Sequence, residues 1–235
     1  MLAESRQCET VADLRQRLVR WEGAPRPAFS IGLDRVLPNG FHRGTLTEYL
    51  ADNGSGATAL ALVAAREACR DGGTLVVIER RKSFYPPAAA SFCIGLNTIF
   101  VHPRTRRDEL WALNQALRCQ GVGAVLCWPE KLDQRAFRSL QLAAEASGTI
   151  GLLVRPISVR GHPTWSSVQL LVEALPHAST RRRLRVEIVR CRIGSVGASV
   201  EVELDDETGT LQESCDVHLA PAVAPATAVR RSPGA

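Results

Sequence analysis

The turn Gly54-Ser55-Gly56 constrains this chain more than any other feature. Before it runs Gly44-Thr45-Leu46-Thr47-Glu48-Tyr49-Leu50, apolar and β-branched. After it comes an alanine- and leucine-rich stretch, residues 57–69, closed by Asp71-Gly72-Gly73. The first run reads as a strand and the second as a helix with a glycine stop. A glycine turn between such elements is the frame of a phosphate-binding loop, G-x-x-x-x-G-K-[ST]. Backbone amides there cradle phosphates, the lysine reaches the β- and γ-phosphates, and the hydroxyl holds magnesium. Ala51, Asp52, Asn53, Gly54, Ser55, Gly56, Ala57 and Thr58 occupy that frame. The second glycine and the hydroxyl remain, but Ala51 replaces the first glycine and Ala57 replaces the lysine. The loop is therefore expected to be a vestigial nucleotide loop. The amides at the start of the helix leave weak anion binding open; the alternative is a tight strand-to-helix turn kept only for packing.

The stretch 74–78 has no polar alternation, as expected of a strand covered on both faces. A short helix at 87–92, strands at 98–101, 122–128 and 149–154, and helices at 108–118 and 133–147 complete an alternating order. That order predicts an α/β fold with a mainly parallel central sheet flanked by crossover helices. Past Pro156 the stretches 167–174, 183–192 and 199–204 alternate apolar and polar residues, and an antiparallel C-terminal extension is expected there.

Residues 9–21 read as an amphipathic helix in which Val11, Leu14, Leu18 and Trp21 recur at helical spacing. Gly23, Pro25 and Pro27 end it. Such a helix either packs on the domain's own flank or docks a partner through Leu14, Leu18 and Trp21. From residue 219 the chain is rich in alanine and proline and is expected to be disordered. The expected organisation is a helix and linker over 1–28, a core over 29–218 and a tail over 219–235.

Hydrophobic residues make up 45% of the 235, enough for a core. Seven cysteines carry no C-x-x-C pair, a poor pattern for zinc or for a disulfide framework, and no metal site is expected. No apolar run reaches the length of a signal or a membrane span, so a cytoplasmic protein is expected. The five histidines pair with no serine or cysteine in a nucleophile motif. Net charge is +5, from 29 Lys+Arg against 24 Asp+Glu, which permits contact with phosphate or with an acidic protein surface. Three clusters concentrate it: Arg80-Arg81-Lys82, Arg104 with Arg106 and Arg107, and Arg181-Arg182-Arg183 with Arg185. Each is a candidate anion or DNA contact of the salt-dependent, non-specific kind. No interleaved aromatics supply a base-stacking platform.

A Gly-Leu-Asp-x-x-Leu segment at 32–37, then Gly40-Phe41-His42-Arg43-Gly44, a strand and a glycine turn opening a helix resemble the entry to the core of RecA-like recombinases. A nearer resemblance is to the ImuA family, RecA-like proteins of bacterial mutagenic repair. It is carried by residues 37–44, by Phe84-Tyr85-Pro86-Pro87-Ala88, and by residues 110–118 and 138–145. It spans about residues 29–204. SulA-like cell-division inhibitors share some of this architecture. The resemblance implies a RecA-like core in damage-induced translesion synthesis (SOS mutagenesis). The implied partners are an ImuB-like Y-family protein, RecA and an error-prone C-family polymerase, with weak non-specific DNA contact and no membrane.

The same resemblance exposes what an ATPase of this type would need. The second-strand carboxylate that helps hold magnesium is expected after Ala124-Val125-Leu126, where Cys127 and Trp128 stand. The water-orienting glutamate falls at Arg81, with Glu79 near enough to substitute. The two DNA-gripping loops of recombinases correspond to short connections, 129–132 and 158–164. A non-catalytic adaptor without cofactor is therefore expected. The alternatives are a divergent ATPase using Arg81 or Lys82, and a SulA-like inhibitor.

Overall fold

The computed structural model describes residues 28–82, 84–177, 181–191 and 196–218, the stretch 214–218 as backbone. The candidate docking helix with Leu14, Leu18 and Trp21, and the tail from 219, lie outside the described residues.

The chain enters through β1 (Ala28–Phe29) and β2 (Phe41–His42), which pair antiparallel as a small separate ribbon. Leu33, Val36 and Leu37 between them are buried. β3 (Leu46–Ala51) leads through the glycine turn into α1 (Ala57–Ala68). Then follow β4 (Thr74–Ile78), a 3-10 turn at Pro86–Ala89, β5 (Thr98–Val101), α2 (Arg106–Arg118), β6 (Val122–Cys127), α3 (Gln134–Ser147) and β7 (Ile150–Pro156). A second 3-10 turn, Ile157–Val159, precedes β8 (Val168–Leu175), β9 (Arg182–Cys191), β10 (Ser199–Asp205) and β11 (Thr210–His218). One nine-stranded sheet results, in the order β11-β10-β9-β8-β3-β7-β6-β4-β5. The six strands from β8 to β5 run parallel, and β9, β10 and β11 add antiparallel hairpins.

Two expectations are corrected. β8 belongs to the parallel half: it pairs parallel with β3, Thr47 opposite Val168, and only its other edge is antiparallel. Residues 168–172 are all buried, Gln169 included, as fits a parallel strand covered on both faces; the polar residues in its sequence do not mark a wet face. β11 was not anticipated, because Gln212 and Glu213 interrupt any apolar run.

Period-two alternation divides the sheet cleanly. Leu75, Val77, Ala124 and Leu126 face α1, while Val76, Ile78, Val125 and Cys127 face α2 and α3. Leu184, Val186, Ile188, Val200, Val202 and Leu204 extend the α1-side core under β9 and β10. Arg183, Arg185 and Glu201 line the opposite face of those two strands. The carboxyl ends of β3, β4, β6 and β7 therefore open beside the glycine turn, where ligands bind in open α/β sheets.

Candidate functional site

Gly56 caps α1 at φ 86°, and Gly54 sits at φ 79°. A Cβ on Gly56 would lie 2.7 Å from Leu184 Cδ2, so the turn is fixed both by backbone sign and by β9 packing against it. Ala57 N–H donates to Ser55 Oγ at 3.4 Å, so one amide of the first turn is already engaged. Ala57 itself is buried.

The turn borders a cleft of about 630 Å³. Its lining also includes Trp128, from the position where a second-strand acid is expected, and Phe84 and Tyr85, which sequence reasoning did not place at the loop. Trp128 and Phe84 have ring centroids 5.4 Å apart, and Phe84 continues to Phe100 at 6.0 Å. Trp128 Nε1 donates to Thr58 Oγ1 at 3.3 Å. The hydroxyl that would face magnesium is thus held by an indole standing where a second-strand acid is expected. The donor set does not fit a magnesium-bound triphosphate: the hydroxyl is engaged, the lysine position is Ala57, and the second-strand position offers an N–H instead of a carboxylate. Among the described residues no cluster of three or more His, Cys, Asp or Glu is placed to hold a metal.

The arginines of the cleft face acids of the protein's own, with Glu130 shared by two of them. Arg80 reaches Glu109 at 3.6 Å and Glu130 at 3.9 Å, and Arg81 pairs with Glu130. Arg182 holds Asp206 through both nitrogens of its fork, one contact at 2.6 Å. Lys82 is exposed, with φ 57°. Glu79 is buried at the end of β4, and its Oε1 accepts the Arg81 amide at 2.7 Å. Burial raises the Glu109 carboxyl above the ordinary range, partly offset by the Arg80 guanidinium. Cys127, the other residue at the expected acid position, points to the opposite core, where burial pushes its thiol well up. The loop from Ala51 to Thr58 and the basic pair Arg80 and Arg81 are therefore brought together, whereas Arg104, Arg106 and Arg107 sit at the start of α2.

Those three outer arginines are all exposed, and Arg106 Nη2 donates to the Lys131 carbonyl at 2.7 Å. Arg183 and Arg185 bracket Glu201 at 2.7 and 3.0 Å, and Arg181 lies 3.5 Å from Asp205. The run that reads in sequence as a basic patch is a cross-strand charge ladder between β9 and β10.

One network holds the strands beneath the cleft. Glu48 on β3 is fully buried and pairs with Arg155 Nη1 of β7 at 2.5 Å. Its other oxygen accepts from Thr164 Oγ1 at 2.7 Å, Ser166 Oγ at 2.9 Å and Gln169 Nε2 at 2.9 Å. Arg155 Nε donates to the Pro129 carbonyl at 3.3 Å, tying this network to the connection just after Trp128.

No family model matches the chain. Among curated proteins it is 27% identical to ImuA of Caulobacter vibrioides over 202 residues, covering 74% of this chain and 82% of ImuA. RecA of Chlorobaculum parvum is 31% identical over 99 residues, 41% of this chain and 28% of RecA. The RadB recombinase crystal structure superposes with a TM-score of 0.62 at 16% identity, covering 79% of this chain and 97% of RadB. The chain is thus similar to ImuA over most of its length and to RecA over a shorter stretch. The RadB likeness is one of fold. The ImuA match covers far more of both proteins than the RecA match, which spans little more than a quarter of RecA. Among the described residues no helix is long and apolar enough to cross a membrane.

Proposed function

We propose that this protein is a non-catalytic RecA-fold adaptor in damage-induced translesion synthesis. The ImuA relationship supports a RecA-like role in mutagenesis at the family level. The observation that carries the finer reading is the Trp128–Thr58 hydrogen bond, set beside Ala57 in the lysine position. A phosphoryl-transfer site works through fixed cations around the γ-phosphate. Here the cleft's arginines Arg80, Arg81, Arg155 and Arg182 face carboxylates of the protein's own. The glycine turn then serves to join β3 to α1. In this reading the surfaces of the fold link an ImuB-like Y-family partner and an error-prone C-family polymerase to RecA or DNA.

Complementation tests it. In a deletion strain, Thr58→Ala restores damage-induced mutagenesis as well as the unaltered chain does. A stably folded Thr58→Ala protein that behaves like the deletion overturns the adaptor reading. A divergent ATPase has one observation in its favour, Glu79 buried on the cleft wall at the end of β4, and the same experiment discriminates it.

A further inference from the structure

The most exposed tryptophan of the described residues is not among those that line the cleft. Trp111, on α2, is 66% exposed, and Leu142, on α3, is 53% exposed. These helices lie side by side on one face of the sheet, joined where Asn114 Nδ2 donates to Ser139 Oγ at 3.1 Å. Packed helices leave a trough with axes about 8–10 Å apart. Arg107, Trp111 and Arg118 fall at i, i+4 and i+11, so they share one exposed stripe of α2. At 1.5 Å per residue the two arginines stand about 16 Å apart along the axis with the indole between them. Arg135 and Leu142, seven residues apart, form the matching exposed stripe of α3.

The acidic residues of these helices do not neutralise that surface. Asp108 keeps its charge but is turned back into the capping box with Thr105 at the N-terminal end of α2, away from Trp111 and Arg118 along the helix. Glu109 is buried under Arg80. Glu145, half-buried, accepts from Gln141 Nε2 at 2.9 Å. Arg118 Nε donates to the neutral Asn114 Oδ1 at 2.8 Å, which aims the guanidinium without cancelling its charge. The face therefore carries one exposed apolar side chain on each helix, Trp111 and Leu142, among the exposed arginines Arg107, Arg118 and Arg135.

We propose that the α2–α3 face docks a polypeptide segment in which acidic residues flank apolar anchors, supplied by the ImuB-type partner of the adaptor reading, on which this inference rests. Trp and Arg are the residue types that dominate interface energetics when they become desolvated. An amphipathic segment in a helix-lined trough meets both the apolar and the charged rows. Single-stranded nucleic acid fits less well. It binds through successive stacking platforms, whereas Leu142 has no flat face to offer a base and the other indole beside α3, Trp165, is covered by the Arg138 guanidinium at 5.4 Å.

The test is the affinity of the full-length chain for the ImuB-type partner at physiological salt. Trp111→Ala and the double variant Arg107→Glu/Arg118→Glu, both at exposed positions, are compared with Arg70→Glu on α1's C-terminal side as a charge control. Circular dichroism checks that each keeps its fold. We expect the first two to weaken binding at least about tenfold and Arg70→Glu to leave it unchanged. If the unaltered chain binds and those two variants bind equally well, the docking face is wrong while the adaptor reading stands. If the unaltered chain does not bind the partner, the adaptor reading fails and this inference falls with it. If an oligothymidylate of about 20 nucleotides displaces the partner and loses affinity in the same variants, the face belongs to nucleic acid and the proposal is overturned.

Discussion

Replacing Glu48 with glutamine tests how the strands under the cleft are held. Glu48 and Arg155 are both buried and link β3 to β7, with three neutral donors completing the carboxylate shell. Breaking a buried pair by removing one charge costs about 3–5 kcal/mol, because the other charge is left uncompensated. Here Arg155 keeps its bond to the Pro129 carbonyl and lies over the Phe137 ring at 5.6 Å. These two contacts offset about 1 kcal/mol, which puts Glu48→Gln near the low end, about 3 kcal/mol. The new amide also turns an N–H toward a shell made of donors, so little of the loss is recovered. Arg155→Met leaves the carboxylate with its three donors and costs less. The pair Glu48→Met with Arg155→Met costs less than the sum of the single changes, since an apolar replacement removes both desolvation penalties. Urea unfolding followed by circular dichroism measures these proteins together with single Glu48→Met, which closes the cycle. Glu48→Gln within 1 kcal/mol of the unaltered chain, or strictly additive single changes, refutes the coupled-network account.

The Tyr49 hydroxyl is fully buried with no hydrogen-bond partner among the described residues, and its burial raises the phenol well above its usual range. Tyr49→Phe should therefore stabilise the fold by up to about 1 kcal/mol in a denaturant titration, and a loss of that size counts against it. Gly56→Ala must hold a positive φ and push Leu184 aside, a cost of about 2–3 kcal/mol, whereas Gly54→Ala, with open space around its Cβ, costs about 1 kcal/mol. Equal melting shifts for the two would contradict that. Burial pushes the Cys69 thiol to about 11 from an ordinary 9.0, the Ala124 amide and the Arg43 charge offsetting part of it. The folded state thus holds the proton more tightly than the unfolded chain does. That contribution is intact below pH 9 and is lost as pH rises through about 11. Melting temperature should fall across that window, and less steeply in Cys69→Ala; parallel curves would refute the assignment.

Much of the fold is legible in the sequence because the parallel strands are short apolar runs bounded by turns. The expected strands at 74–78 and 98–101 coincide with β4 and β5. α2 begins at Arg106, two residues before the expected start, because the Thr105 hydroxyl and the Asp108 carboxylate cap each other's backbone. β11 escaped because its pairing with β10 compensates for a polar sequence. At the site, the loss of the loop lysine can be read directly from Ala57. The indole on Thr58 cannot, since the partners are 70 positions apart and only the sheet order brings them together. The same applies to Arg181, Arg182 and Arg183. A run of arginines looks like an open basic patch until the acids of β10 and the turn after it stand opposite.

Titration calorimetry of Mg-ATP into the full-length protein tests the central claim most directly. With Thr58 held by Trp128 and no lysine in the loop, the account predicts no saturable heat through millimolar nucleotide. Micromolar binding that is lost in Thr58→Ala would contradict it.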